Sequence, residues 1–219
     1  SESWYHPVAL LGENKRVSIM IFNPTDLVAD VEVIVVSDEG KGESVVTSVG
    51  SYDVTEVQVL PKEEEKLVAN RLFTSLESFG IIVETSDGVP IVSGIELTSG
   101  PKGSPGKESP EQELLPISEG EEELRLPVGR NSGLSVTTGV PSGSRDWLLV
   151  LPDVPGEVLV AIENIGSSKV SASVIRYGKR QRYEVKLASF ATEHLRIAGG
   201  TTIEVNSDSE VVVSAIHQE

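Results

Sequence analysis

Three histidines, His6, His194 and His217, are the side chains of this sequence best suited to acid–base or metal chemistry. Their spacing supports neither. A zinc site needs about four Cys, His or carboxylate ligands at set intervals; the chain has no cysteine, and no His-x-His or His-Glu-x-x-His pair occurs. No serine sits in a Gly-x-Ser-x-Gly elbow, and GPKGSPG lacks the Gly-Lys-Ser/Thr ending of a phosphate loop. The carboxylates are numerous, but a glycosidase pair needs a cleft and one partner of raised pKa, which spacing alone does not supply. EGEEEL has none of the alternating oxygen ligands of an EF-hand. The expectation is therefore no catalytic set, no metal site and no cofactor.

One cluster stands out against this background. RYGKRQRY, residues 176–183, packs Arg176, Lys179, Arg180 and Arg182 between Tyr177 and Tyr183. Arg and Tyr are enriched in interface hot spots. A basic hairpin tip of this kind can dock an anionic polymer or the acidic face of a neighbouring protein, and these six residues are the candidate binding site. The plainer reading is a solvated tip whose charges discourage edge-to-edge pairing.

The formal net charge is −16, unevenly spread. Residues 1–100 carry 17 acidic and 6 basic side chains, residues 101–132 carry 7 and 4, and residues 133–219 carry 10 and 8. Such a surface repels phosphate backbones, so nucleic acid is not an expected partner. No apolar run reaches the ~18 residues of a membrane span. The sequence opens SESWYHP without an initiator Met, as a processed chain does, and membrane attachment is expected only through a segment outside it.

The elements that must position these residues read as strands. VSIMIFN, DVEVIVV and EVQVL alternate apolar with polar, as do VLVAIEN, SASVIRY and YEVKL, the period of half-buried pleated strands. These runs also recur. IVETSDGVPIVSGIE (82–96) returns as IEVNSDSEVVVSAIH (203–217), placing Asp87 on Asp208 and Ile95 on Ile216. Upstream, Asn23 falls on Asn164, Val33 on Val174 and Val57 on Val185, and each copy begins with a tryptophan, Trp4 or Trp147. Fixed self-similarity signals a repeated unit. The expected fold is all-β: two tandem antiparallel immunoglobulin-like β-sandwich domains related by internal repeat. Residues 1–100 form copy one and 133–219 copy two. Residues 101–132, rich in Pro, Gly and Glu, form a linker or an excursion between neighbouring strands, because GIELTS and LSVTTGVP on either side both alternate. Copy one carries two insertions read as loops. One lies near SDEGKGESVVTSVGS; the other is NRLFTSLESFG, whose Leu72, Phe73, Leu76 and Phe79 suggest a short helix.

WYHPVALLG…VSIMIFNPTD (4–26) and GVPSGSRDWLLVLPDV…VLVAIEN (139–164), with the closing VPIVSGIE hairpin, carry a resemblance. The sequence resembles an actinobacterial family of exported or membrane-tethered proteins with a domain of unknown function, some found beside or fused to cell-envelope glycosyltransferases. It departs from the pattern at Ile165, where the proline after Asn is missing. The resemblance implies no catalytic residue. It implies a non-enzymatic, extracytoplasmic sandwich module. The expected function is binding or spacing, extracellular or in the cell envelope, with a protein or an anionic envelope polymer as the partner of the basic tip. The alternative is a carbohydrate-binding module or accessory domain of an envelope glycan enzyme.

Overall fold

The structure is a computed structural model and describes residues 1–11, 15–62, 70–99, 133–178 and 181–217. These residues form strands and turns, with no α-helix among them. Alternation is the reason. In β2 (Lys15–Phe22), Val17, Ile19 and Ile21 are buried while Arg16, Met20 and Phe22 face outward. Burying side chains of this size contributes ~1.5–3 kcal/mol each.

In the first half, β1 (Ser3–Leu10), β7 (Ser78–Thr85), β3 (Ala29–Ser37) and β4 (Gly40–Val49) form one sheet in that order. The second sheet runs β6 (Arg71–Thr74), β5 (Val54–Pro61), β2, β8 (Val92–Ser99) and β9 (Gly133–Thr138). Ile19, Val33, Val57, Phe79 and Ile95 meet in the core between them. In the second half the path is β13 (Gln181–Leu187), β12 (Val170–Arg176), β15 (Thr202–His217), β11 (Glu157–Asn164) and β14 (Thr192–Ala198), with β10 (Ser144–Val150) also on β15. β15 serves two neighbourhoods: its first part pairs with β12 and β10, and Val211–His217 pairs with β11. In the first half β7 and β8 divide that work. Counting β1–β5, β7 and β8 as first to seventh, β1 pairs with the sixth and β8 with the second. An immunoglobulin constant domain instead joins first to second and sixth to seventh; the two outer strands have exchanged sheets.

Local details recur in the two halves. Asn23 is buried and its Nδ2 donates to the Leu27, Val49 and Gly50 carbonyls at 2.6, 3.2 and 3.0 Å. Asn164 is buried likewise, donating to the Ser168 and Ala188 carbonyls at 2.7 and 2.6 Å. Trp4 Nε1 donates to the Ile91 carbonyl and Trp147 Nε1 to the Val211 carbonyl, at 2.7 and 2.9 Å. The Asp30 amide donates to Asp87, and the Ser171 amide to Asp208, both at 3.0 Å. Val33 and Val174 each stand opposite a core valine, Val83 and Val205.

Other expected correspondences do not hold. Val57 is opposite Ile19 on β5, but Val185 is opposite Ala172 on β13; by pairing, Leu195 of β14, opposite Val160, takes the place of Val57. Ile95 is opposite Ile19, whereas Ile216 is opposite Leu159 and Ala215 takes the matching place opposite Val160. β15 runs on where the first half turns, and a one-residue slip reverses the face a side chain occupies. SDEGKGESVVTSVGS is no loop: a tight turn leads into β4, which pairs with β3 along its length. The helix expected over Leu72, Phe73, Leu76 and Phe79 is instead β6, paired in parallel with β5, followed by the start of β7. Leu72 and Phe79 reach one core from two strands, so their helical spacing is coincidental.

β9 pairs with β8, Ile95 opposite Thr137 and Leu97 opposite Ser135. The alternating stretches flanking the acidic segment are thus neighbours in one sheet, so position 133 is not a sheet boundary. The segment from 100 to 132 lies outside the described residues.

The halves meet face to face. Val8 and Leu10 of β1 pack with Leu159, Ala161 and Ile216, and Ile34, Val36, Ile82 and Tyr5 pack with Phe190. Gly80 permits the approach: a Cβ there would stand 2.6 Å from Thr192 Oγ1.

Candidate functional site

The basic cluster lies on the β12–β13 hairpin, and strand alternation divides it. Arg182 is opposite Ile175 on the outer face, while Tyr183 turns inward to pack on the second-half core. Arg176 donates from Nε to Thr201 Oγ1 at 3.4 Å and from Nη1 to Gln181 Oε1 at 3.3 Å. Arg182 Nε pairs with Glu184 Oε1 at 2.6 Å, both well exposed. The Tyr177 hydroxyl donates to Glu204 Oε2, which raises the tyrosine pKa and lowers that of the glutamate. Lys179 and Arg180 lie outside the described residues. The structure thus places Tyr177 and Arg182 toward the outer face of the β10–β15–β12–β13 sheet and Tyr183 toward its core.

A second polar cluster sits in the seam between the halves. β11, β14 and β15 turn Glu163, Thr192, His194 and Ser214 toward the first half. Glu163 is fully buried, and neither carboxylate oxygen finds a hydrogen-bond partner among the described residues. Thr192 Oγ1, His194 Nε2 and Ser214 Oγ are also buried without a partner there. Loss of hydration pushes the Glu163 carboxyl up to about 8, opposed by the field of Lys41. Lys41 Nζ pairs with Glu84 Oε1 at 3.2 Å and lies 4.6 Å from the centre of the Phe190 ring. Burial lowers His194, opposed by a hydrogen bond from its ring to the Pro7 backbone and by Asp38. His6 lies beside this seam, its Nε2 3.1 Å from Ser93 Oγ, and burial brings it down to about 4.

Serine, histidine and glutamate together are the types of a nucleophile, a base and its orienting group. The register keeps them apart. His194 and Ser214 both stand opposite Ala161, on either side of β11, so a whole strand separates them, roughly 10 Å from backbone to backbone. The adjoining cavity, between Tyr5, His6 and Val8 on one side and Ser214 and Ile216 on the other, is ≈ 60 Å³. That is room for about two waters, against the roughly 300 Å³ or more of a ligand pocket. The two halves are held by the apolar contacts around it, and the buried carboxyl adds no hydrogen bond among the described residues. Among the described residues, no three His, Asp or Glu side chains converge.

Sequence reasoning did not find this seam. Glu163 sits at an outward position of an alternating strand, the ordinary place for a solvated carboxylate, and it is the packing of the first half against that face that buries it. Comparison of the chain with protein-family models and with curated proteins finds no match.

Proposed function

We propose that this protein is a non-catalytic module of the bacterial cell envelope, working outside the cytoplasm by binding or spacing, and built from two copies of one immunoglobulin-like sandwich. The paired details of Asn23 and Asn164, Trp4 and Trp147, and Asp87 and Asp208 support the two copies. The observation that carries the function is the seam. Its apolar contacts from β1, β3 and β7 against β11, β14 and β15 hold two sandwiches in one placement. Domains without such a contact move relative to one another; domains with one hold their end loops at a fixed separation, which is what a spacer requires. The location rests on the family resemblance. The partner is a protein or an anionic polymer that meets the RYGKRQRY tip, and nucleic acid is disfavoured by the charge of −16.

Two measurements test this. A membrane-impermeant amine reagent applied to intact cells should label the native protein; labelling only after lysis overturns the location. The protein should also co-sediment with isolated anionic wall polymer at low salt and less so at physiological salt, where fields are screened over ~8 Å. Arg182→Ala should weaken that binding while changing stability by no more than ~0.5 kcal/mol. Equal binding by variant and wild type at both salt levels removes the tip from the contact.

A further inference from the structure

The seam uses one face from each sandwich, and each sandwich has both kinds of face. In the second half the buried row runs Thr192, Glu163 and Val212 across β14, β11 and β15. The same row of the first half is Val54, Phe22 and Val92 across β5, β2 and β8, with Met20 in the place of Ala161, and all four are exposed. Cross-strand pairing makes them one continuous apolar patch.

The loops agree. Phe190, the aromatic that packs on Ile34, Val36 and Ile82 in the seam, has φ 51°, and its amide donates to the Gly166 carbonyl at 3.1 Å. Tyr52 has φ 53°, and its amide donates to the Thr25 carbonyl at 3.0 Å, the matching position two residues after the buried asparagine. A non-glycine residue in this backbone region is uncommon. Phe190 fills the seam, whereas Tyr52 is 68% exposed.

The opposite face follows the same rule. The first half offers the row Tyr5, Ile82 and Ile34 to the seam. Its counterpart in the second half is Leu148, Glu204 and Ile175, continued by Arg182 on β13. Leu148 and Val150 on this face are 68% and 80% exposed. Its carboxylate, Glu204, already accepts hydrogen bonds from Tyr177 and Asn206.

We propose that the open face of the first half, formed by Met20, Phe22, Tyr52, Val54 and Val92, receives the Leu148–Val150 face of a second copy of this chain. Molecules then join head to tail by repeating the seam. The inference rests on the reading of the halves as two copies. The occupant is a second copy because the matching pair of faces is already packed together within the chain. Apolar contact, not charge, favours this occupant: Glu56 and Glu96 flank the receiving row, and Arg182, which ends the donating one, is already paired with Glu184. A contact between two different faces leaves each dimer with one free face of each kind, so it extends into an open array, or into a ring where its rotation closes.

Sedimentation equilibrium from micromolar to near-millimolar protein tests the proposal, using wild type, Tyr52→Asp and Val150→Asp. Aspartate tolerates the left-handed backbone at 52, and Val150 is a surface position, so both variants should melt as wild type does. Val54→Asp and Leu148→Asp replace either variant that does not. Wild type should grow past the dimer as concentration rises. Each variant alone should associate at least about tenfold more weakly, as loss of a hot-spot contact does. A one-to-one mixture of the two should recover a dimer and stop there, because each partner keeps one intact face. Wild type that stays monomeric throughout, or association that the mixture does not recover, overturns the head-to-tail contact. An experimental structure with the Tyr52 and Phe190 loops superposed would leave the two-copy reading standing in either case. Unrelated positions for those loops would remove both.

Discussion

Replacing Glu163 with Gln should stabilise this protein at neutral pH and leave it unchanged in acid. The carboxyl is buried against the first half with no hydrogen-bond partner among the described residues, and burial raises its pKa from 4.5 to about 8. In the unfolded chain the same group ionises in water near 4.5. Between these values the folded state holds a proton that the unfolded state has released. Stability is therefore fully present below pH 4.5 and is lost as pH rises through 8. One pKa unit corresponds to about 1.4 kcal/mol. Holding Glu163 protonated at pH 7 thus costs about 3 kcal/mol, rising to about 5 kcal/mol above pH 8.

Glutamine has the same shape and no ionisation. Glu163→Gln should accordingly gain about 3 kcal/mol at pH 7, or about 6 to 12 °C in Tm for a chain of this size. The gain should shrink by about 1.4 kcal/mol per pH unit on acidification and vanish near pH 4. Urea unfolding of both proteins at intervals from pH 4 to 9 measures the difference. A gain that is the same at pH 4 and pH 8, or no gain at pH 8, would refute the reasoning, because either result means that Glu163 is not a desolvated acid in the folded state.

His6 should act with the opposite sign. It stays neutral in the fold down to about 4 while the unfolded residue protonates at 6.5, so stability present above 6.5 is lost as pH falls through 4, by about 3 kcal/mol in all. His6→Gln should flatten the acid limb of the urea-derived stability curve, and an unchanged limb would show that His6 titrates normally. Asn23→Ala leaves three carbonyls without their donor and should lower stability by about 3 kcal/mol. Asn23→Asp should be worse at pH 8, since it sets a charged oxygen against those carbonyls; a milder Asp variant in thermal melts would mean that the turn opens to water.

The strands and their buried faces were legible because burial on one side imposes a period of two, and that period survives wide changes of residue. The asparagine turns were legible too. Asn23 and Asn164 have a job few side chains can do, donating to several carbonyls while accepting from the chain ahead. Register was less legible. EVQVL and YEVKL look alike because each is a half-buried strand, not because they share a place in the sheet, so their likeness puts Val57 on Val185 where the pairing does not. Leu72 and Phe79 misled because a helix and a pair of strands can both bring residues seven apart to one core. The seam was invisible for a different reason. Whether an outward face meets water or protein depends on where the neighbouring sandwich sits, and Glu163 and Phe22 are each written opposite to their surroundings.

That inversion has a physical explanation in how the two contacts form. The seam joins halves of one chain, so its partner is present at an effective concentration that two free molecules do not reach. It can therefore tolerate an uncompensated carboxyl at Glu163 and partnerless hydroxyls at Thr192 and Ser214. A contact between separate molecules must first offset an estimated 4–15 kcal/mol of lost translational and rotational freedom. On the receiving side it has little left to bury a polar row. The open face carries Phe22 where the seam carries Glu163, and Val54 where the seam carries Thr192. The receiving side is therefore more apolar than its tethered counterpart, while the donating side has Glu204 where the seam has Ile82 and keeps that carboxylate on Tyr177 and Asn206.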